Sequence, residues 1–302
     1  MGLIWLHRYA KLLVCATLLL LAAGGMVTST SSGLSVPDWP TTYGQNMFAF
    51  PLSRMAGGIF YEHGHRLIAS AVGFLTIGLV AWVWVADPRR WMRTLALCAL
   101  GAVILQGVLG GLTVLYLLPA PVSIGHAGLA QVFFCLTIGL ALFTSPGWRT
   151  PARPPVDDEG LRARLTLLST LIFAQIILGA TVRHLGAGLA IPDFPLAIGG
   201  VVPPAWTTPI AVHYAHRVGA LLVATDAVAV AAFLWRRHRG RPELARPTWL
   251  LLAAIAAQVT LGALVVLSRR DPIVNTMHVA TGAFVLGTSV LLTLRSYRVG
   301  VG

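Results

Sequence analysis

The chain has 302 residues, of which 56% are hydrophobic and 11% are charged, and its formal net charge is +12. Charged residues make up roughly a quarter of a soluble globular protein, so this composition excludes a soluble globule of this size and predicts an integral membrane protein. The basic excess would suggest a nucleic-acid partner on a soluble protein, but here membrane topology has to account for it first.

Eight apolar runs follow one another along the chain, each long enough to cross a bilayer, which takes about 20 residues of helix. The sequence therefore predicts an all-α, polytopic membrane protein with eight transmembrane helices. The first run follows Arg8 and Lys11, as in a signal peptide, but the stretch after it recurs inside the chain, so we interpret it as the first transmembrane helix. The predicted spans are residues 12–30, 65–86, 94–116, 124–144, 165–183, 214–235, 248–267 and 276–294.

Basic residues fall mainly on one side of this topology. An even number of helices places both termini on the same side, and sixteen of the 22 Lys and Arg residues lie there, against six on the other side. The positive-inside rule therefore predicts that both termini are cytoplasmic, in a cell (plasma) membrane. The bilayer accounts for the basic charge, and no nucleic acid is needed as a partner.

The chain also repeats itself. Residues 33–40, Gly-Leu-Ser-Val-Pro-Asp-Trp-Pro, match residues 188–195, Gly-Leu-Ala-Ile-Pro-Asp-Phe-Pro, in an outer loop that follows a first helix in each case. Residues 106–115 match residues 258–267 in the same way. Such self-similarity at a fixed interval indicates a duplicated architecture.

A segment rich in proline and charge, residues 146–164, separates the two repeats and is predicted to be a cytoplasmic linker. It divides the chain into an N-terminal half, 1–145, and a C-terminal half, 165–302. Each half contains an even number of helices, so both run in the same direction through the membrane. We predict two parallel four-helix bundles related by a pseudo-two-fold axis along the membrane normal.

Four histidines, His65, His126, His216 and His278, are predicted at the outer ends of the second, fourth, sixth and eighth helices. A single histidine in a membrane helix is most often a hydrogen-bonded interior residue, but ionisable groups there are costly and usually functional. A zinc site takes three or four clustered donors, whereas each half offers two histidines. Two imidazoles from different helices suit a heme iron with axial nitrogen ligands, so we predict one heme site in each half, toward the outer side.

Only the first of these sites has a carboxylate nearby. Glu62 precedes His65 by three residues, whereas the second half has His213 at the corresponding position. A buried carboxylate beside a heme can move protons or stabilise developing positive charge, and the alternative is a structural Glu62–Arg66 ion pair at a helix start. Arg66 and Arg217 are candidates for binding heme propionates, because guanidinium groups match carboxylates, or for anchoring at the headgroup level.

At these residues the sequence resembles the heme A synthase family, membrane enzymes that convert heme O to heme A for cytochrome oxidase. The resemblance covers nearly the whole chain: eight helices, two parallel halves, the outer loop and the four histidines. It implies that heme O is the substrate, that heme b is a cofactor, and that a glutamate is a catalytic-site acid. Carried over to this sequence, the pattern makes His65 and His126 the ligands of heme O, His216 and His278 the ligands of heme b, and Glu62 the acid of the Glu62-x-x-His65-Arg66 motif.

The sequence departs from the family pattern in two respects. Some bacterial relatives have a cysteine pair in the first outer loop, which this loop lacks, because the three cysteines here lie inside apolar runs without Cys-x-x-Cys spacing. His63 and His213 are additional histidines and compete for the ligand assignments.

The resemblance also implies partners: a heme O synthase that delivers the substrate, and an electron donor that the sequence does not identify. A homo-oligomer is left open. Two other functions are compatible with the residues, a di-heme b electron-transfer protein and a transporter built from parallel repeats. The position of the histidines at the outer ends, instead of mid-membrane, argues against the transporter.

Overall fold

The computed structural model describes residues 2–150 and 157–297. Residues 151–156 of the predicted linker, Arg153 included, and Arg298 of the tail lie outside the described residues. Of the nine α-helices in the described ranges, eight are long and apolar enough to cross a membrane, which confirms the prediction of an all-α chain with eight membrane-length helices. The helices are α1 (Gly2–Ser29), α2 (Gly58–Ala86), α3 (Arg90–Leu115), α4 (Ala120–Thr144), the short α5 (Pro146–Arg149), α6 (Glu159–His184), α7 (Thr208–Arg237), α8 (Pro242–Leu267) and α9 (Pro272–Ser296).

The helices begin several residues before the predicted apolar runs. Asp271 caps α9 by accepting hydrogen bonds from two backbone N–H groups of its first turn, and Thr207 caps α7 in a similar way. Because α2 starts at Gly58, Glu62 lies in its second turn, close to the helix start where the sequence predicted it. Hydropathy finds where a helix is apolar, whereas capping decides where it starts.

The chain divides into two compact units, Met1–Arg149 with Asn275–Ala280, and Thr150–Val274 with Thr281–Gly302. In the first unit, α1 packs against α2 and α4, and α3 packs against the same two helices, so the four helices form a closed ring. Its buried core includes Leu13, Leu79, Met92 and Leu140, all on the helix ends away from the predicted heme ligands. The core therefore closes one end of the bundle and leaves the outer end to the histidines.

In the second unit, α7 packs between α6 and α8, and hydrogen bonds connect α9 to its neighbours. Ser169 of α6 bonds to the hydroxyls of Ser289 and Thr293 of α9 at 3.1 and 2.9 Å. Arg295 of α9 donates to the backbone carbonyl of Glu243 of α8 at 2.6 Å. The helix order matches that of the first unit, while the pseudo-two-fold relation of the halves and their domain boundaries stay predictions.

Asp87 follows α2 directly, and its side chain is fully buried. The Arg89 side chain donates to Oδ1 of Asp87 at 2.9 Å and to its Oδ2 at 2.7 Å, and the backbone N–H of Arg89 donates to Oδ1 at 3.1 Å. Arg89 also donates to the carbonyl of Phe143 on α4. Burial alone raises the pKa of the Asp87 carboxyl, but the hydrogen bonds and charge of Arg89, with Arg149 3.8 Å away, outweigh it and lower the pKa below its ordinary value. The pair joins the ends of α2 and α4.

We expect Asp87→Asn to destabilise the protein by about 3 kcal/mol, because it leaves the Arg89 charge without its buried partner. Since the folded-state pKa is lowered, the carboxylate contributes stability above the unfolded-state pKa of about 4, and this contribution is lost as pH falls through the folded-state pKa. Denaturation midpoints measured against pH should therefore differ between wild type and variant at neutral pH and converge in strong acid. Arg149→Gln is the control and should cost about 1 kcal/mol or less; equal midpoints for Asp87→Asn and wild type at neutral pH would contradict this account.

Candidate functional site

The first outer loop is held to α2 by Arg66. Its Nη1 donates to the carbonyl oxygens of Asp38 and Thr41 at 2.8 and 3.0 Å. Its Nη2 donates to the carbonyl oxygen of Val36 at 3.0 Å and to Oε1 of Glu62 at 2.8 Å. Four of the five guanidinium N–H groups are engaged in this way, which leaves the Nε–H for any other acceptor.

Arg217 holds the second outer loop to α7 in the same manner. It donates to the carbonyl oxygens of Leu196, Ile191 and Asp193 at 2.8, 3.0 and 2.7 Å, and its Nε lies 3.3 Å from Nε2 of His213. Both arginines are therefore loop anchors in the structure, and their binding of heme propionates stays a prediction. Sequence reasoning missed this role because every residue has a carbonyl oxygen, so the acceptors have no sequence signature.

Glu62 and His213 occupy equivalent places between a loop and an arginine. Glu62 is 4% exposed; its Oε2 accepts the backbone N–H of Val36 at 2.7 Å, and its Oε1 accepts from Arg66. His213 is 5% exposed and accepts from the backbone N–H of Ile191 at 3.3 Å through Nδ1. The predicted Glu62–Arg66 ion pair is present. The two halves have the same arrangement of loop and arginine here, but the side chain between them is a carboxylate in the first half and an imidazole in the second.

The repeated aspartates shape the loops. Asp38 accepts the backbone N–H groups of Tyr43 and Gly44 at 2.7 and 2.8 Å, and Asp193 accepts those of Ile198 and Gly199 at the same distances. All four donors have positive φ, so each carboxylate stabilises a left-handed turn. The hydrogen bonds from Gly199 and Ile198 lower the pKa of Asp193, which keeps this carboxylate ionised at neutral pH.

The additional histidine of the first half also belongs to the loop. Nδ1 of His63 lies 3.0 Å from the hydroxyl of Thr42, and its ring centroid lies 5.1 Å from that of Phe50. With His213 bonded to Ile191, both additional histidines hold loops, and the assignment of the heme ligands stays a prediction. Asp226, mid-way along α7, has a buried Oδ2 without a hydrogen-bond partner among the described residues.

Three of the four predicted ligands lie against a glycine on the preceding long helix. A Cβ added to that glycine would lie closer to the imidazole than van der Waals contact allows, so a larger residue would displace the ring. We call each such place a glycine notch. The histidines, their glycines and the distance from an added Cβ to the imidazole Cε1 are His65 with Gly24 (3.0 Å), His126 with Gly110 (3.1 Å) and His216 with Gly179 (2.9 Å).

The donor set of the first unit fits a heme. His65 and His126 come from different helices of the same bundle, and Nδ1 of His65 is buried without a hydrogen-bond partner in the described part of the chain. Among the described residues, no group of three or more His, Cys, Asp or Glu side chains is placed to hold a metal ion. Two isolated imidazoles match the two axial positions of a heme iron better than the coordination shell of a bare metal.

Glutamines accompany the glycine notches. Gln106, four residues before Gly110, donates to the backbone carbonyl of His126 at 2.9 Å. Gln175, four residues before Gly179, donates to the carbonyl of His216 at 2.7 Å and lies 3.0 Å from its Nδ1. Groups that bond to a ligand histidine fix its orientation. Sequence reasoning missed Gln175, although a search for Gln-x-x-x-Gly on each helix that precedes a histidine helix would have found it.

His278 lies in the second turn of α9 and belongs to the segment 275–280 of the first unit, whereas His216 belongs to the second unit. Their joint binding of one heme therefore stays a prediction. The equivalent α8 segment also carries Gln258, whose Nε2 would lie 3.1 Å from a Cβ added at Gly282.

The glycine notch of His126 can be tested within one helix. Gly110→Ala places a methyl group 3.1 Å from Cε1 of His126, whereas Gly107→Ala, one turn away on α3, meets no atom within 4 Å. We expect Gly110→Ala to weaken heme binding at the first site by about 10- to 100-fold, as is usual when a ligand's surroundings change. Gly107→Ala should leave it unchanged and stabilise α3 by up to about 1 kcal/mol. Absorbance titration with heme measures both, and equal affinities in the two variants would show that the notch does not position His126.

Comparison with known proteins gives a consistent result. The profile of a family described as cytochrome oxidase assembly protein (COX15-CtaA) matches residues 7–290. The heme A synthase of Symbiobacterium thermophilum is 32% identical over 265 residues, which are 84% of this chain and 83% of that protein. Those of Geobacillus kaustophilus and Shouchella clausii are 27% and 29% identical, and the matches cover 98% and 97% of this chain and 94% and 96% of theirs. The similarity thus spans all the helices described above.

Proposed function

Because the chain belongs to the heme A synthase family of cytochrome oxidase assembly proteins, we propose that it is a membrane-bound oxidoreductase that converts heme O to heme A by oxidising a ring methyl group to a formyl group. The observation that carries the proposal is the arrangement in the first unit. His65 and His126 come from two helices of one closed bundle, and Glu62, three residues before His65 on α2, is a buried carboxylate. The opposite end of that bundle is filled with apolar side chains.

In the first half, His65 and His126 bind the iron of heme O and hold the macrocycle between the helices. The methyl carbon is oxidised stepwise, through the alcohol, to the aldehyde. Overall, one dioxygen molecule is consumed and one water molecule is released for each methyl group that becomes a formyl group. Glu62, with both oxygens fixed by Val36 and Arg66, is placed to accept a proton released from that carbon or to stabilise positive charge on it.

The first outer loop excludes water from the substrate. Arg66 joins three of its carbonyl groups to α2, and the carboxylate of Asp38 fixes its turn. A loop fixed at several points over a reacting heme limits side reactions with solvent. Because the other four N–H groups of the Arg66 guanidinium are engaged in these bonds, its Nε–H is the one that can bind a heme propionate.

In the second half, His216 and His278 hold heme b, with His216 oriented by Gln175 and Gly179. A bound heme b supplies one-electron transfer. Both termini face the cytoplasm, both hemes lie toward the outer side, a heme O synthase delivers the substrate, and an external donor exchanges electrons with the protein. The distribution of basic residues and the positions of the histidines near the outer ends of their helices support this placement.

Co-expression with a heme O supply, followed by extraction and chromatography of the pigments, tests the proposal. Heme A should accumulate in cells with the wild-type chain and remain at background without it. Heme-loaded protein that yields no heme A, and that holds two equivalents of unmodified, non-exchangeable heme b, would instead identify a di-heme electron-transfer protein.

A further inference from the structure

A groove opens between α7 and α8 at their predicted cytoplasmic ends; His238 is part of its lining, but His216, the predicted heme ligand on α7, lies far from it. Its cavity measures about 500 Å³, and its floor is formed by small or apolar residues that include Ala231, Ala232 and Leu252. His216 lies twenty residues before Arg236 on the same helix, which corresponds to about 30 Å of helix. The groove is thus separate from the proposed heme sites.

Two tryptophans form the walls of this groove. Trp235 of α7 and Trp249 of α8 meet edge to face, with ring centroids 6.2 Å apart, and their exposed fractions are 53% and 60%. Tryptophan is enriched at the level of lipid headgroups, where its ring contacts chains and its N–H contacts water or phosphate. The two tryptophans therefore indicate that the groove opens at the level of the lipid headgroups.

The cations around the groove fall into two classes. Arg237 lies 3.8 Å from a carboxylate oxygen of Asp158, and Arg241 lies 3.6 Å from that of Glu243, and neither arginine lines the groove. Arg236 and Arg239 do line it.

Both groove arginines are exposed and have no carboxylate partner among the residues that the structure describes. The guanidinium of Arg239 is fixed over Trp235, 5.1 Å from the ring centroid, and its Nε donates to the carbonyl of Trp235. The uncompensated positive charge is therefore concentrated at the mouth of the groove.

We propose that this groove is a binding site for one anionic phospholipid of the cytoplasmic leaflet. Arg236 and Arg239 bind the phosphate, the tryptophans flank the glycerol region, and the acyl chains lie on the alanine floor. Basic pockets between transmembrane helices on this side of a membrane bind anionic headgroups. A free phosphate would satisfy the arginines but would leave the apolar floor and aromatic walls uncovered, which favours a lipid.

The test uses the purified full-length protein with its hemes, in a neutral detergent. Phosphatidylglycerol, phosphatidylcholine with the same chains, and inorganic phosphate are added separately, and bound lipid is counted by native mass spectrometry while the melting temperature is recorded. We expect phosphatidylglycerol to be retained and to raise the melting temperature, and the other two to do neither. An equal response to phosphatidylcholine, or to inorganic phosphate alone, would overturn the proposal.

Two double variants with the same net charge separate the groove from the general basic surface. Arg236→Gln with Arg239→Gln should weaken phosphatidylglycerol binding by about 30-fold, which corresponds to about 1 kcal/mol per arginine. Arg237→Gln with Arg241→Gln should leave it near wild type. Ala232→Leu keeps every charge but fills the floor, and it should also reduce retention. Equal losses in the two double variants, or full retention in Ala232→Leu, would overturn the proposal.

Discussion

Replacement of His65 or His126 with alanine is expected to abolish heme A formation while the heme b spectrum remains. These two histidines lie in the first unit, whose bundle is filled with apolar side chains at the end away from them. Each histidine lies in a glycine notch. Removing an axial ligand leaves the reacting heme without a fixed orientation, so we expect turnover to fall by at least about 100-fold. Pigment extraction and difference spectra of the purified variants measure both quantities.

The second-half variants give the opposite pattern. His216→Ala or His278→Ala should remove the low-spin heme b signal. His63→Ala is the matched control for His65→Ala, because His63 is two residues from His65 in sequence but bonds to Thr42 of the loop. A heme spectrum that is unchanged in either second-half variant would show that the cofactor has been assigned to the wrong half.

Glu62 is the second position where we expect a large effect, and the second half supplies the substitution that tests it. His213 shows that an imidazole at this place also accepts the loop N–H and lies against the arginine. Glu62→His should therefore keep the loop anchored and the heme bound, while it removes the carboxylate. We expect turnover per bound heme to fall by about 100- to 10,000-fold, the usual contribution of a general acid or base.

Two further variants complete this test. Glu62→Gln keeps the shape of the side chain and should resemble Glu62→His, with the hydroxylated intermediate accumulating. Glu62→Ala leaves the Val36 N–H and Arg66 without their acceptor, so it should also lower heme loading and protein yield. If turnover per bound heme is normal in Glu62→His, Glu62 is a loop anchor and has no part in the chemistry.

The sequence was sufficient to predict the elements whose cause is local. Eight apolar runs of bilayer length leave few alternatives to eight helices, because a backbone inside a membrane has to satisfy its own hydrogen bonds. The repetition of Asp38 and Asp193 between proline and aromatic residues indicates a local role in the loops, which agrees with their hydrogen bonds to backbone N–H groups. The Glu62–Arg66 pair followed from a spacing of four residues on a helix.

The other features of the site depend on partners that are distant in the sequence or are backbone atoms, so they could not be predicted. Arg66 binds carbonyl oxygens 25 to 30 residues away, which a sequence pattern does not reveal. The close approach of Gly110 to His126 required the structure, because the sequence does not show which of the many glycines faces a histidine. Cys15 and Cys98 lie inside apolar runs and yet are exposed on their helices, because an apolar run that crosses a membrane has apolar side chains on its outer face as well.

The most direct test of the central claim is the conversion of added heme O by isolated membranes that contain the overproduced chain, in air and with an electron donor. Hemes are extracted at intervals and identified by mass spectrometry. We predict that heme A forms in excess of the amount of protein, that its mass corresponds to a formyl group in place of a methyl group, and that the amount of heme b stays constant. Recovery of unchanged heme O from membranes whose protein is fully loaded with heme b would contradict the account.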